Sequence, residues 1–336
     1  MLFFAIAALS AKSITLLFGG DIMLNGITPS GHTFQEIGSV ASRVDTVLGN
    51  LEIPLTTSTT KTSRKTPEEL KRKDQWILKG DPKHVPFLKS TGIQLVSLAN
   101  NHAMDYGVKG LSQMISSLDS AGISHAGAER TAALAMAPTI WKSPKGVRVA
   151  LLSVLGFQTT KALLKTTPAT VTSPGIGVLN LRGSFGPDTQ RKLKGWIRKA
   201  HLSADIVIVA IHWGVERKSL PNPYQVQLGR LLIDSGADIV WGNHPHVLQG
   251  AELYKHKLIM YSMGNFISST PAQNGFFQVK WEKDGLQSPA FYPGRISGGR
   301  VGLVSGKGKA AAFREMHRLC QLLLQHYPSP VSKSAL

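Results

Sequence analysis

Two apolar runs constrain this chain more than anything else in it. Asp205-Ile206-Val207-Ile208-Val209-Ala210-Ile211 is continuous and β-branched, as strands buried on both faces of a parallel sheet are, and it ends in His212-Trp213-Gly214-Val215-Glu216. After a helical segment over 223–235 comes Ala237-Asp238-Ile239-Val240-Trp241, which ends in Gly242-Asn243-His244-Pro245-His246. The glycine lets the backbone come close, the proline holds a bend, and two imidazoles sit two residues apart, one way to grip a metal. On its own the tripeptide reads equally well as a polar turn after a buried strand. The same pattern recurs along the chain, so that five strand ends carry residues able to do chemistry. Strands alternating with helices predict an α/β fold.

The first recurrence is 14–18, followed by Gly19-Gly20-Asp21, a carboxylate on a flexible turn and the first candidate ligand. Met23, two residues on, is a poor partner for hard or borderline divalent ions. The second is 44–48, ending in Gly49-Asn50-Leu51-Glu52, where Glu52 is the second carboxylate and Asn50 reads as a turn residue rather than a ligand. Residues 56–74 are rich in Thr, Ser and Lys and read as a solvated loop with a short helix from Pro67. Holding an anionic substrate is the weaker reading there.

A helix is predicted over 82–90 and a third strand over 93–99, ending in Asn100-Asn101-His102-Ala103-Met104-Asp105-Tyr106-Gly107. An amide oxygen of this turn can bind a metal while the adjacent imidazole reaches the substrate. Asp105 lies three residues after His102, close enough on a helical turn to bond the ring and raise its pKa, which suits a general acid. The competing reading is an Asn-rich turn capping a helix over 108–121.

His125 is expected to pack or face solvent, and strands are predicted over 137–141 and 147–154. Residues 156–186 read as a long loop or lid, and a basic helix follows to about 201. Runs at 251–253, 258–260, 275–281 and 300–304, with a turn at 282–285, lack intervening helices and imply an antiparallel half. Residues 310–326 read as an amphipathic helix.

Composition sets the surroundings. Lys and Arg number 38 against 20 Asp and Glu, a formal net charge of +18, so the surface should draw polyanions. No nucleic-acid-binding motif accompanies the charge, and nucleic acid is not expected as a partner. The lone Cys320 excludes an internal disulfide and a cysteine-rich zinc site. Residues 1–11 resemble the apolar region and small-x-small cleavage site of an export signal, although no basic residues precede them, so an extracytoplasmic or cell-surface location is expected.

In open α/β sheets ligands bind outside the carboxyl ends of the strands. Asp21, Glu52, Asn101, His212, His244 and His246 all lie within a few residues of such ends. Six ligands are more than one zinc needs. Shared between two ions with Glu52 as the bridge, they leave room for a water, the arrangement of a two-metal hydrolase. Imidazole with carboxylate and amide favours Mn, Fe or Zn.

Gly20-Asp21-Ile22-Met23-Leu24, Asn50-Leu51-Glu52, Leu98-Ala99-Asn100-Asn101-His102 with Asp105 and Gly107, His212-Trp213-Gly214 with Glu216, Gly242-Asn243-His244-Pro245-His246 and Tyr261-Ser262-Met263-Gly264-Asn265-Phe266 occur in order. Together they resemble the bacterial capsule synthesis family CapA, called PgsA in poly-γ-glutamate systems. That family is in turn similar to the calcineurin-like metallophosphoesterases. The resemblance implies a four-layer α/β/β/α sandwich, two mixed sheets flanked by helices, over 12–305, with a C-terminal helix and tail over 306–336. It implies Asp21 and His246 on one metal, Asn101, His212 and His244 on the other, Glu52 bridging, and His102 as proton donor. The phosphoesterases have His where Met23 stands and Asp where Glu52 stands, so one tightly held ion with a labile second, or a single ion, is expected, and Glu216 is a candidate substitute ligand. The activity implied is metal-dependent hydrolysis of a phosphoester or of a polymer amide. The alternative is a non-catalytic polyanion-binding partner of a membrane-bound capsule synthase or exporter.

Overall fold

A computed structural model of the chain describes residues 13–157, 160–179, 185–283, 285–287 and 289–335. The apolar start at 1–11 lies outside the described residues, as does Asp284 of the expected turn.

The apolar runs form two mixed sheets. In the first, Ile14–Ile22, Thr46–Leu51, Ile93–Ser97 and Ser124–Ala126 lie side by side and parallel, each pair joined by a crossover. Ala272–Glu282, Ala290–Ser297 and Arg300–Leu303 continue that sheet antiparallel from the other edge of Ile14–Ile22. In the second, Arg148–Leu155, Ile206–His212, Ile239–Asn243 and Lys257–Met260 are parallel neighbours, with Thr139–Lys142 and Ala251–Tyr254 antiparallel outside them.

Successive strand residues point to opposite faces, and this alternation sorts the apolar side chains into three clusters. Leu16, Phe18, Leu48 and Leu95 of the first sheet share a cluster with Leu151, Ile208, Ala210 and Trp241 of the second, so these faces pack on each other. Leu17, Val47 and Val96 turn the other way, onto Ile37, Leu111, Met114 and Leu118 of the helices Gln35–Ala41 and Gly107–Ser120. Leu152, Val207, Val209 and Val240 turn outward onto Leu193, Ile197, Leu228 and Leu232 of the helices Pro187–His201 and Pro223–Asp234. The 205–211 run lacks polar alternation because both of its faces are covered.

Three expectations change. Gly19 and Gly20 are not a flexible turn: the strand continues to Ile22, and its glycines are there for clearance. A Cβ on Gly20 would lie 1.7 Å from the Gly264 carbonyl oxygen, and one on Gly19 2.0 Å from the Phe266 ring. The closely spaced strands after residue 250 do not form one antiparallel half. They divide between the two sheets, and Lys257–Met260 runs parallel to Ile239–Asn243. Within 156–186 the described residues include the helix Thr160–Leu164 and the short strand Gly175–Ile176. The strand Ala290–Ser297, not expected from the sequence, holds Pro293 in its interior, without a donor for the ladder.

The C-terminal helix Gly306–His326 buries Met316 and Cys320 in the inter-sheet cluster and Leu323 in the outer one, and Ser332–Ser334 pairs with Ala251–Tyr254. Among the described residues no helix is long and apolar enough to cross a membrane.

The crowding at Gly20 carries a prediction. Gly20→Ala must push two backbone segments apart, and overpacking of this kind costs about 1–3 kcal/mol or more; urea unfolding should show a loss in or above that range, with the slope against denaturant unchanged.

Candidate metal centre

The carboxyl ends of the parallel strands from both sheets meet at one place. Asp21, near the end of the first strand, is fully buried, and its Oδ1 accepts from Asn50 Nδ2 at 2.7 Å while its Oδ2 accepts from the His244 backbone N–H at 3.1 Å. Glu52 follows the second strand and is also fully buried. His212 Nε2 and His246 Nε2 each lie 3.6 Å from Glu52 Oε1, and His246 Nδ1 lies 3.2 Å from Asp21 Oδ2. His212 Nε2 is also 2.8 Å from Asn101 Oδ1. The His212 and His244 rings are 4.6 Å apart, and Phe157 stands 4.8 Å from the His244 ring. All six sequence-derived ligand candidates therefore converge.

Two groups can hold an ion: Glu52, His244 and His246, and Asp21, Glu52 and His212, with one ligand atom from each residue and all within 4.8 Å of one another. Glu52 belongs to both, the position of a bridge. His246 stands beside His244 in one group and His212 beside Asp21 in the other, while His246 Nδ1 is also 3.2 Å from Asp21 Oδ2, so the two groups overlap. Glu216 is in neither group. It is exposed, and its charge reaches Glu52 and His246 through space.

The electrostatics describe a site built for a cation. Neither carboxylate oxygen of Glu52 has a hydrogen-bond partner among the described residues, and His244 Nδ1 has none either. A buried carboxylate with no donor is costly, and native proteins leave one in this state where something else supplies positive charge. Burial, and then the neighbouring Asp21 carboxylate, push the Glu52 pKa well above the ordinary range. Burial works against charge on His246, yet Glu52 and Asp21 outweigh it and raise its pKa to about 10. Burial and the other imidazoles hold His212 and His244 well below the usual histidine value, so these rings are neutral and free to ligate. The donor set therefore fits one or more borderline divalent ions.

The backbone is strained at the same point. His244 and His246 have φ of 100° and 58°, a region that side-chain-bearing residues avoid at about 1–3 kcal/mol each. The proline between them does not make the bend alone. Gly242 has the close approach expected of it, since a Cβ there would lie 2.2 Å from the Tyr261 carbonyl oxygen.

His102 and Asp105 pair as the spacing predicts, Nδ1 to Oδ2 at 2.7 Å. The expected rise in the His102 pKa does not follow. Burial, then the nearby Lys65 ammonium, lower it and outweigh Asp105. Lys65 lies in the stretch that reads as a solvated loop, yet it is buried and contacts Asp105 Oδ1 at 2.5 Å. Only an isolated Arg64-Lys65 in a Thr-rich stretch marks it in the sequence. Two further residues were missed as orienting groups. Asn50 lies inside a strand rather than a turn, 3.3 Å from His212 Nδ1, and Asn265 Oδ1 is 2.8 Å from His246 Nδ1. His125 pairs with Asp119 at 3.1 Å, away from this centre.

A cleft of about 430 Å³ opens beside the ligands, with Asn101 and His244 in its wall together with Phe157, Tyr224, Lys165 and Glu216.

Two mixed sheets whose parallel strands deliver a buried carboxylate and imidazole cluster define an α/β protein with a candidate metal site. Residues 15–270 match the family described as "Bacterial capsule synthesis protein PGA_cap", and the chain belongs to that family. It is 31% identical over 264 residues to the capsule biosynthesis protein CapA of Bacillus anthracis, covering 76% of this chain and 60% of that protein. It is 32% identical over 258 residues to the PGA biosynthesis protein CapA of Bacillus subtilis, covering 74% and 62%. A probable polyglutamine synthesis accessory protein of Mycobacterium tuberculosis is 28% identical over 186 residues, 55% of this chain and 48% of that protein. The chain thus spans about three fifths of the length of the two CapA relatives.

A cation bound here should stabilise the fold with the logarithm of its concentration, by about 2.7 kcal/mol at a hundred times Kd, and raise the thermal midpoint accordingly. Glu52→Gln should abolish that rise with Mn or Zn. Without added metal the variant should change stability little, because the repulsion from Asp21 that it relieves is offset by the attraction to His246 that it loses; calorimetry with and without metal checks both.

Proposed function

We propose that this chain is a CapA-like protein of capsule or polyglutamate synthesis that acts as a metal-dependent hydrolase on a phosphoester or on an amide of an acidic polymer. The observation that carries the reading is Glu52, fully buried with neither carboxylate oxygen hydrogen-bonded and shared by both candidate ion sites. In this reading Asp21 and His246 hold one ion, Asn101, His212 and His244 the other, and Glu52 bridges them; with Met23 in place of an imidazole, the first site is the weaker. Bound Mn, Fe or Zn would supply charge stabilisation and an activated water.

The chain's own residues do the rest. Asp105 accepts the Nδ1 proton of His102, which leaves Nε2 as the ring nitrogen for the leaving group, and it donates there only when the ring carries a second proton taken up from solvent. The cleft positions the substrate, with the Phe157 and Tyr224 rings as apolar walls. The four-layer α/β/β/α arrangement of the metallophosphoesterases belongs to the same proposal and draws support from the three apolar clusters. So does an extracytoplasmic location, which rests on residues 1–11.

The net charge of +18 favours a second reading, a partner of a membrane-bound capsule synthase or exporter that holds an acidic polymer on its surface. The helix Pro187–His201 exposes Lys192, Lys194, Arg198 and Lys199. The relatives' names, capsule biosynthesis and polyglutamine synthesis accessory protein, fit either reading.

Elemental analysis of purified protein, with hydrolysis of a phosphomonoester, a phosphodiester and poly-γ-glutamate in added Mn, separates the two. For the hydrolase, His102→Ala should keep its metal and lose at least about a hundredfold in turnover, the scale of a general acid; full turnover in that variant refutes the assignment. For the polymer partner, affinity for polyglutamate should fall steeply between low and physiological salt as screening grows, and salt-independent binding excludes it.

A further inference from the structure

We propose that the cleft beside the ligand cluster selects a phosphoester whose leaving group is an uncharged, hydroxylated body of sugar type, and that it rejects the amide of an acidic polymer. The inference rests on the hydrolase reading and narrows its substrate to one of the two classes named there.

The cleft wall carries two carboxylates, Asp74 and Glu216, and Lys165 is the sole lysine or arginine among the described residues that line it. That ammonium is already committed, since it is paired with Glu69 at 2.5 Å. Asp74 is tied to Arg72 at 2.7 Å, which leaves Glu216 as the stronger source of negative potential, and its charge reaches Glu52 and His246. Each unit of an acidic polymer brings a carboxylate of its own, and a wall with Glu216 and no uncommitted cation opposes it. The polymer amide is therefore the poorer fit to the same ligand cluster.

A phosphoester meets different demands. Its anionic end goes to the ligand cluster, where bound ions supply positive charge, and only its leaving group has to match the wall. Phe157 stands 4.8 Å from the His244 ring, and Tyr224, 4% exposed, is held against the Phe185 ring at 5.5 Å, so both aromatic walls have fixed places. Gln75 and Asn222 add amides. Asn222 Oδ1 already accepts from the Gln225 N–H at 2.9 Å, so the amide N–H groups are what this side chain can give. Aromatic rings suit the C–H faces of a sugar, while N–H donors and a carboxylate acceptor suit its hydroxyls, each of which both donates and accepts. A wholly apolar leaving group would leave these polar groups unpartnered, and an anionic one would face Glu216. The cleft of about 430 Å³ lies within the usual range of small-molecule sites. In the reaction, water adds at phosphorus and the ester P–O bond breaks with its electron pair on the leaving oxygen. One hydrogen of the water ends on that oxygen and the other on the phosphate, giving the free sugar and inorganic phosphate.

The test uses the full 336-residue chain as wild type and as the double variant Asp74→Asn with Glu216→Gln, both side chains being exposed so that the fold is kept. With Mn, glucose 1-phosphate is compared with glucuronate 1-phosphate, which differs from it by one carboxylate. The wild-type kcat/KM should favour the glucose ester at least about fivefold, the scale of one like-charge contact through water. The double variant should bring the two esters within about twofold of each other, since both wall carboxylates are gone. Equal rates in the wild type, or a preference that the double variant leaves unchanged, overturn the proposal. Release of glutamate from poly-γ-glutamate at a rate matching the sugar ester overturns it too, while leaving the hydrolase reading in place. A second readout needs no turnover. With metal removed by a chelator, saturation-transfer NMR should detect methyl glucoside but not methyl glucuronide on the wild type, and both on the double variant. If no ester is hydrolysed with any added ion, the hydrolase reading falls, and the NMR comparison decides the cleft by itself: transfer to neither sugar, or equally to both in the wild type, overturns its assignment.

Discussion

The site depends on the seam between two sheets, and one indole fixes that seam. Trp241, fully buried, donates from Nε1 to the Gly19 carbonyl oxygen at 2.9 Å, and its ring meets Phe18 edge-on at 5.7 Å. The bond joins residues 222 positions apart and sets the height of the Asp21 strand against that of the His244 strand. Backbone contact reinforces the match where the His244 N–H reaches Asp21. A slip of one residue in the register of either strand within its own sheet would turn its inward residues outward and separate the converging side chains, so packing and site geometry are specified together.

Once the seam is set, the ligand cluster is expensive. It places two buried carboxylates beside each other, leaves one without donors, and holds two non-glycine residues at positive φ. None of these stabilises the fold by itself, and a bound cation would offset the repulsion between the carboxylates. The surrounding side chains are correspondingly rigid. Asn50, Asn100 and Asn265 each bond to a ligand or to its backbone neighbourhood, so the ligands have little freedom to collapse onto one another. Lys65 and Asp105 do the same for His102 from the opposite side.

The charge of the chain is distributed unevenly with respect to this centre. The cleft wall carries Glu216 and Asp74 alongside Lys165, and Lys165 is paired with Glu69 at 2.5 Å. Among the described residues, exposed cations stand on the helix Pro187–His201, at Lys192, Lys194, Arg198 and Lys199. The overall +18 therefore describes the outer surface rather than the surroundings of the buried carboxylate and imidazole cluster.

The sequence by itself determined the α/β class, the apolar strands from 14, 93, 206 and 239 onward, and which strand ends carry the polar side chains that converge, because strand length, β-branching and a following polar cluster are local properties. It located the His102 and Asp105 pair for the same reason, since three residues on one turn suffice to bring them together. Tertiary structure alone decided the rest. It joined Ala272–Glu282 to the first sheet and Lys257–Met260 to the second, a partition that no local pattern encodes. It made clearance glycines of Gly19 and Gly20, whose crowding comes from residues more than 240 positions away. It also brought Lys65 onto Asp105, reversing the direction in which His102 was expected to shift, because burial and a lysine 37 residues distant outweigh a carboxylate three residues along. Local spacing says which groups are available, and only the packed interior, where desolvation and long-range charge act, sets the state in which they are held.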